Sequence, residues 1–163
     1  MSSINFFSYS QTYNDVKTDT EKVKDKEISS LEMLSTLGVN FKSEVSYDRI
    51  KGNSIFLKQI GNYNEIQIFT KTENSDISLK QNGDYNSAKL NYTAQNVFAE
   101  ILQDGNYNSI TDYINNPREN ISLELTQTGD NLNFIRENAN QLTKSLKFNQ
   151  SNASPNLIIR SFY

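Results

Sequence analysis

Gln59-Ile60-Gly61-Asn62-Tyr63-Asn64 is restated as Gln81-Asn82-Gly83-Asp84-Tyr85-Asn86, and again as Gln103-Asp104-Gly105-Asn106-Tyr107-Asn108. The leading glutamines stand 22 residues apart (81 − 59, 103 − 81). Two looser copies follow, Gln127-Thr128-Gly129-Asp130-Asn131-Leu132-Asn133 and Gln150-Ser151-Asn152-Ala153-Ser154-Pro155-Asn156, at spacings of 24 and 23 (127 − 103, 150 − 127). In both, the closing asparagine comes one residue later. A fixed period in this range marks a stack of supersecondary units, each packed on its neighbours.

Each copy repeats an internal plan. Ahead of the glutamine, apolar residues alternate with polar ones: Ile55 and Leu57, Ile77 and Leu79, Ala99 and Ile101, Ile121, Leu123 and Leu125, Leu146 and Phe148. A second alternating run starts at the asparagine: Asn64, Ile66, Ile68; Asn86, Ala88, Leu90; Asn108, Ile110; Asn133, Ile135; Asn156, Ile158. Period two predicts strands with one buried face. The four residues between are a tight corner with Gly61, Gly83, Gly105 or Gly129 in second place, where glycine can take positive φ without strain. A looser corner is expected at 71–74, 93–96 and 115–120, the last holding Pro117. The unit is therefore strand, tight corner, strand, looser corner, and its copies stack into an all-β, two-sheet cross-β solenoid.

Stacking puts like on like about 4.8 Å apart. The inward Gln59, Gln81, Gln103, Gln127 and Gln150, with Asn64, Asn86, Asn108, Asn133 and Asn156, are expected to form amide ladders that set the register. Each side-chain carbonyl accepts from the amide one layer away. The expected core is Ile55, Leu57, Ile66, Ile77, Leu79, Ala88, Ile101, Ile110, Leu123, Leu125, Ile135, Leu146, Phe148 and Ile158. Asp112 falls four past its asparagine, in the column of Ile68 and Leu90, with Glu137 and Arg160 expected lower in that column. Either the strand splays there or the charges pair along the stack.

The spacing Gln-x-Gly-x-x-Asn with an aliphatic residue two further on, repeated near 22, resembles the curlin repeat, roughly Ser-x5-Gln-x-Gly-x-x-Asn-x-Ala-x3-Gln. Asn86-Ser87-Ala88 matches its second half, while Ile66 and Ile110 stand for the alanine. Thr70, Tyr92 and Ile114 stand near the place of the closing glutamine. The leading serine survives at Ser75, and Asn53 and Val97 replace it elsewhere. The resemblance covers residues 53–163. It implies a subunit of an extracellular amyloid fibre of the curli type, in a biofilm matrix or cell adhesion, as bulk subunit or as nucleator. Its partners would be copies of itself, other curlin-like subunits and a curli-type secretion apparatus, with no cofactor.

Composition supports a structural rather than a chemical role. Apolar residues make up 36 % of the 163 positions and net charge is −3, which leaves no basic footprint for nucleic acid. No run approaches the ~18 apolar residues of a membrane span. Residues 1–13 lack the apolar core of a signal peptide. With no His and no Cys, Ser-His and Cys-His nucleophiles are excluded, and the scattered carboxylates suggest neither acid–base work nor a metal site. An enzyme is not expected. A monomeric β-solenoid binding module, for ice or glycan, is the rival reading; the outward Phe56, Lys58, Lys80, Leu102, Glu124 and Lys147 form no regular array for it. Tyr63, Tyr85 and Tyr107 recur in the corner, either stiffening it or forming an aromatic binding edge.

Residues 1–52 differ from the repeats. Nine charges crowd 15–27, which suits a solvated linker. Alternatively Val23, Ser30, Leu31, Leu34 and Leu37 fall at helical spacing in a helix over 20–37 stopped by Gly38. A third possibility is a decayed first layer over 34–47, because Gly38 precedes Gly61 by 23 (61 − 38). The layers themselves are expected near 53–74, 75–96, 97–120, 121–143 and 144–163.

Overall fold

The computed structural model describes residues 45–162. The helix expected over 20–37 and nearly all of the layer expected over 34–47 lie outside them. A 3-10 turn at Tyr47–Arg49 leads into eight strands: β1 Asn53–Ile60, β2 Glu65–Lys71, β3 Asn74–Asn82, β4 Ser87–Asp104, β5 Ser109–Thr128, β6 Asn133–Glu137, β7 Ser145–Ser151 and β8 Asn156–Arg160.

All the pairings are parallel and most join residues one repeat apart. This is a parallel β-solenoid of about five turns. One sheet stacks β1, β3, the second half of β4, the second half of β5, and β7. The other stacks β2, the first half of β4, the first half of β5, β6 and β8. Strands β4 and β5 run unbroken through the looser corner, so in those layers the corner is a bend in a continuous ladder rather than a turn. Asn116 and Asn120 pair with Ala94 and Asn96, so residues 117–119 face Gln95 alone. That bulge at Pro117 absorbs the longer repeat, and the Gly corner keeps its length.

The core lies between the sheets. Ile77, Leu79, Ala88, Ile101, Ile110, Leu123, Leu125, Leu146 and Phe148 are buried in it as expected, with Leu90, Val97, Ile114, Ile121 and Phe134. Ile66 and Ile68 pack against it partly buried. Ile55 and Leu57 hold the expected columns, opposite Ile77 and Leu79. They remain 46 % and 49 % exposed because they belong to the first described layer.

The fourth and fifth layers correct the expected parity. Asn133 pairs with Ser109, not Asn108, so Phe134 and Arg136 point inward and Ile135 lies on the outer face. In the next layer Asn156 and Ile158 are exposed, Ile158 at 50 %, while Leu157 and Ile159 pack on the core. The residue aligned with Asn108 is Leu132, whose N–H bonds the Asn108 Oδ1 at 2.9 Å. Because the Gly corner has a fixed length, counting three past Gly129 finds Leu132; the nearest asparagine misleads. A one-residue slip moves a whole strand's side chains to the other face.

Candidate functional site: polar ladders and the first layer

The five glutamines form one column. Nε2 of Gln59 donates to Oε1 of Gln81 at 2.9 Å, Gln81 to Gln103 at 2.8 Å, Gln103 to Gln127 at 2.9 Å and Gln127 to Gln150 at 2.9 Å. Each amide in the middle layers gives its second proton to a backbone carbonyl across the core: Gln81 to Glu65, Gln103 to Ser87 and Gln127 to Ser109. Both protons are thus used, which is what lets these amides be buried; an orphaned one costs about 1–3 kcal/mol. Every link points the same way, from first layer to last.

The asparagine column is shorter than expected. Asn64, Asn86 and Asn108 each donate through Nδ2 to the glycine carbonyl one layer on, Gly83, Gly105 and Gly129, at 2.8 Å. Their Oδ1 atoms accept the N–H of Asn86, Asn108 and Leu132. Asn133 and Asn156 do not join it. Asn133 instead accepts from the Ser109 hydroxyl at 2.7 Å.

The glycines make this close approach possible. A Cβ on Gly83 would stand 2.1 Å from the Gly105 carbonyl oxygen, and its φ is +116°. Two residues on, Tyr63, Tyr85, Tyr107 and Asn131 all take φ near +57°. The rings of Tyr63 and Tyr85 stack 4.8 Å apart, those of Tyr85 and Tyr107 4.9 Å apart. The left-handed backbone costs about 1–2 kcal/mol per residue, and each stacked pair recovers about 0.5–1.5 kcal/mol. The stacked pairs offset part of the strain at this corner, which Asn131 bears in the fourth layer without a ring to stack.

Two further ladders were not anticipated. At the looser corner Asn74 donates to Asn96 and Asn96 to Asn120, at 2.9 and 2.8 Å. All three lie seven residues before a glutamine, a regularity visible in the sequence. At the tip of the tight corner the N–H groups of Asn62, Asp84 and Asn106 bond the Oδ1 of Asp84, Asn106 and Asp130. Amide and carboxylate alternate, so no two carboxylates stack directly.

The inward Asp112 is paired along the stack. Its partner is Arg136, one residue from the Glu137 expected in that column. Arg136 Nε and Nη2 bond the two carboxylate oxygens, each at 2.7 Å, with both side chains fully buried. Tyr92, in the layer before, donates its hydroxyl to Asp112 Oδ2 at 2.5 Å. Arg136 Nη1 donates to the carbonyls of Ser122 and Thr143. Burial, then the charge of Asp112, raises the Tyr92 phenol well above its ordinary range. Burial works to lower Arg136, but Asp112 more than compensates and the guanidinium is raised. Glu137 pairs instead with Arg160 on the surface, at 2.7 Å.

Among the described residues no group of three or more His, Cys, Asp or Glu could hold a metal, and no helix is long and apolar enough to cross a membrane. Compared with known proteins, the chain matches no family model, no curated protein and no solved structure.

Proposed function

We propose that this chain is a structural subunit of an extracellular, curli-like amyloid fibre, joining other stacked-layer chains end to end. The observation that carries this reading is the state of the end strands. Among the described residues β1, β2, β7 and β8 each pair on one side only. An open strand edge offers unpaired N–H and C=O groups that template another chain. Ile55 and Leu57 lie half exposed beside that edge in the first layer, so a joining layer would bury apolar surface as well. The curlin-like spacing of the repeats supports the same reading. The test is to add labelled protein to preformed fibres of a regular Gln-x-Gly-x-x-Asn repeat subunit. Incorporation at fibre ends supports it, and protein that stays in solution refutes it.

A second reading is a monomeric β-solenoid binding module. It is favoured by the stacked Tyr63, Tyr85 and Tyr107, a regular exposed aromatic column. Retention on a glycan or ice surface, lost on replacing the tyrosines, would support that reading instead.

A further inference from the structure

We infer that the two ends of the solenoid are not complementary to each other. The first layer is built to receive a different chain, one ending in an intact Gln-x-Gly-x-x-Asn layer, rather than the last layer of a second copy. This rests on the fibre-subunit reading and narrows its partner.

The first layer lacks what every middle layer receives from above. Gln81, Gln103 and Gln127 each accept at Oε1 from the preceding glutamine. Gly83, Gly105 and Gly129 each accept at the carbonyl from the preceding asparagine, and the N–H groups of Asn86 and Asn108 bond that asparagine's Oδ1. Among the described residues none of these bonds is made to Gln59 Oε1, the Gly61 carbonyl or the Asn64 N–H. One incoming glutamine and one asparagine three past a glycine would make all three.

The last layer cannot offer that set. Gln150 Nε2 already gives its protons to the carbonyls of Asn133 and Pro155, both at 2.9 Å. Asn152 stands where the glycine would be and Pro155 where the asparagine would be. The corner folds on itself instead, with the Ser154 N–H on the Ser151 carbonyl at 2.8 Å. Leu146 and Phe148 are 0 % and 2 % exposed, against 46 % and 49 % for Ile55 and Leu57. The chain's own preceding segment is no substitute by sequence. Counted from Gly38, Thr36 stands in the glutamine place and Phe41 in the asparagine place.

The full-length chain is tested alone and with regular-repeat fibres. Alone, the wild type is expected to sediment as an 18.7 kDa monomer. The variant Asn152→Gly/Pro155→Asn, which restores the missing corner, is expected to elongate head to tail. Adding Gln59→Ala should weaken that elongation about three- to tenfold, the loss of one net hydrogen bond. Should the restored variant fail to fold, fibre ends give a second readout: wild-type chain should stop growth at one end and leave the other growing. Wild-type chains that elongate alone, or growth that continues through them at both ends, would overturn the inference while leaving the fibre-subunit reading intact. A folded restored variant that stays monomeric would also overturn it. No binding to fibres at all would remove both.

Discussion

Arg136 is the largest fully buried side chain in the described core, and every choice around it follows from charge. A buried ion needs a partner and satisfied protons. Asp112 supplies the first, and the carbonyls of Ser122 and Thr143 accept from Nη1. Losing one partner of such a pair costs about 3–5 kcal/mol, whereas replacing both with apolar groups is often neutral. Asp112→Leu is therefore expected to destabilise strongly, and Asp112→Leu/Arg136→Met to recover most of the loss, measured by denaturant unfolding. Equal loss in both variants would refute the pairing.

Tyr92 extends this to pH. Its folded pKa lies above the ordinary 10.0, so above that pH the unfolded chain releases a proton that the fold retains. Stability is full below about pH 10 and falls as pH rises towards the folded value. Tyr92→Phe should flatten that alkaline decline in a series of unfolding curves; an unchanged slope would assign it elsewhere. In the glutamine column, Gln103→Ala leaves the Gln81 amide and the Gln127 carbonyl each short of a bond. At about 1–3 kcal/mol per orphaned group, the loss should exceed that of Gln59→Ala in the half-exposed first layer.

At the scale of the element, the tight corner is the most constrained part of a layer. Gly83→Ala meets both a positive φ and a carbonyl oxygen at 2.1 Å, so the stack must open locally. It should lower the unfolding midpoint far more than Tyr85→Asn, because Asn131 already holds the same φ in the fourth layer. The reverse order would show that the corner geometry is misread. These strands were legible because period two and the 22-residue repeat agree over β1 to β4. Legibility failed where a layer departs from its neighbours. The two-residue lengthening of the repeat falls in the longer corner expected at 115–120, where a bulge at Pro117 keeps both flanking ladders in register; only the later closing asparagine points, wrongly, to a longer Gly corner. Asn133 and Asn156 match the motif by residue type, yet backbone length from the corner decides which residue faces inward. The partner of Asp112 was missed for the same reason, since Arg136 is inward only under the corrected parity. The ladder through Asn74, Asn96 and Asn120 is legible as spacing alone, each asparagine standing seven residues before a glutamine.

For the whole molecule, the layers act as one device because their side-chain ladders are polar. Every glutamine-to-glutamine bond and every asparagine Nδ2 bond to a glycine carbonyl donates from the first layer towards the last, so the two ends differ chemically even though each layer resembles the next. Among the described residues the expected open edge is found at the first layer. At the last layer the strand edges are also unpaired among the described residues, but the polar ladder ends there: Gln150 turns its amide protons to the Asn133 and Pro155 carbonyls, and the corner folds back on Ser151. The Asn64 N–H is where this account is most exposed, and backbone hydrogen exchange at that amide is its most direct test. It should exchange freely in the isolated chain and become protected once the chain joins a regular Gln-x-Gly-x-x-Asn fibre. An amide already protected in the free chain, or one still exchanging freely after incorporation, would contradict the account.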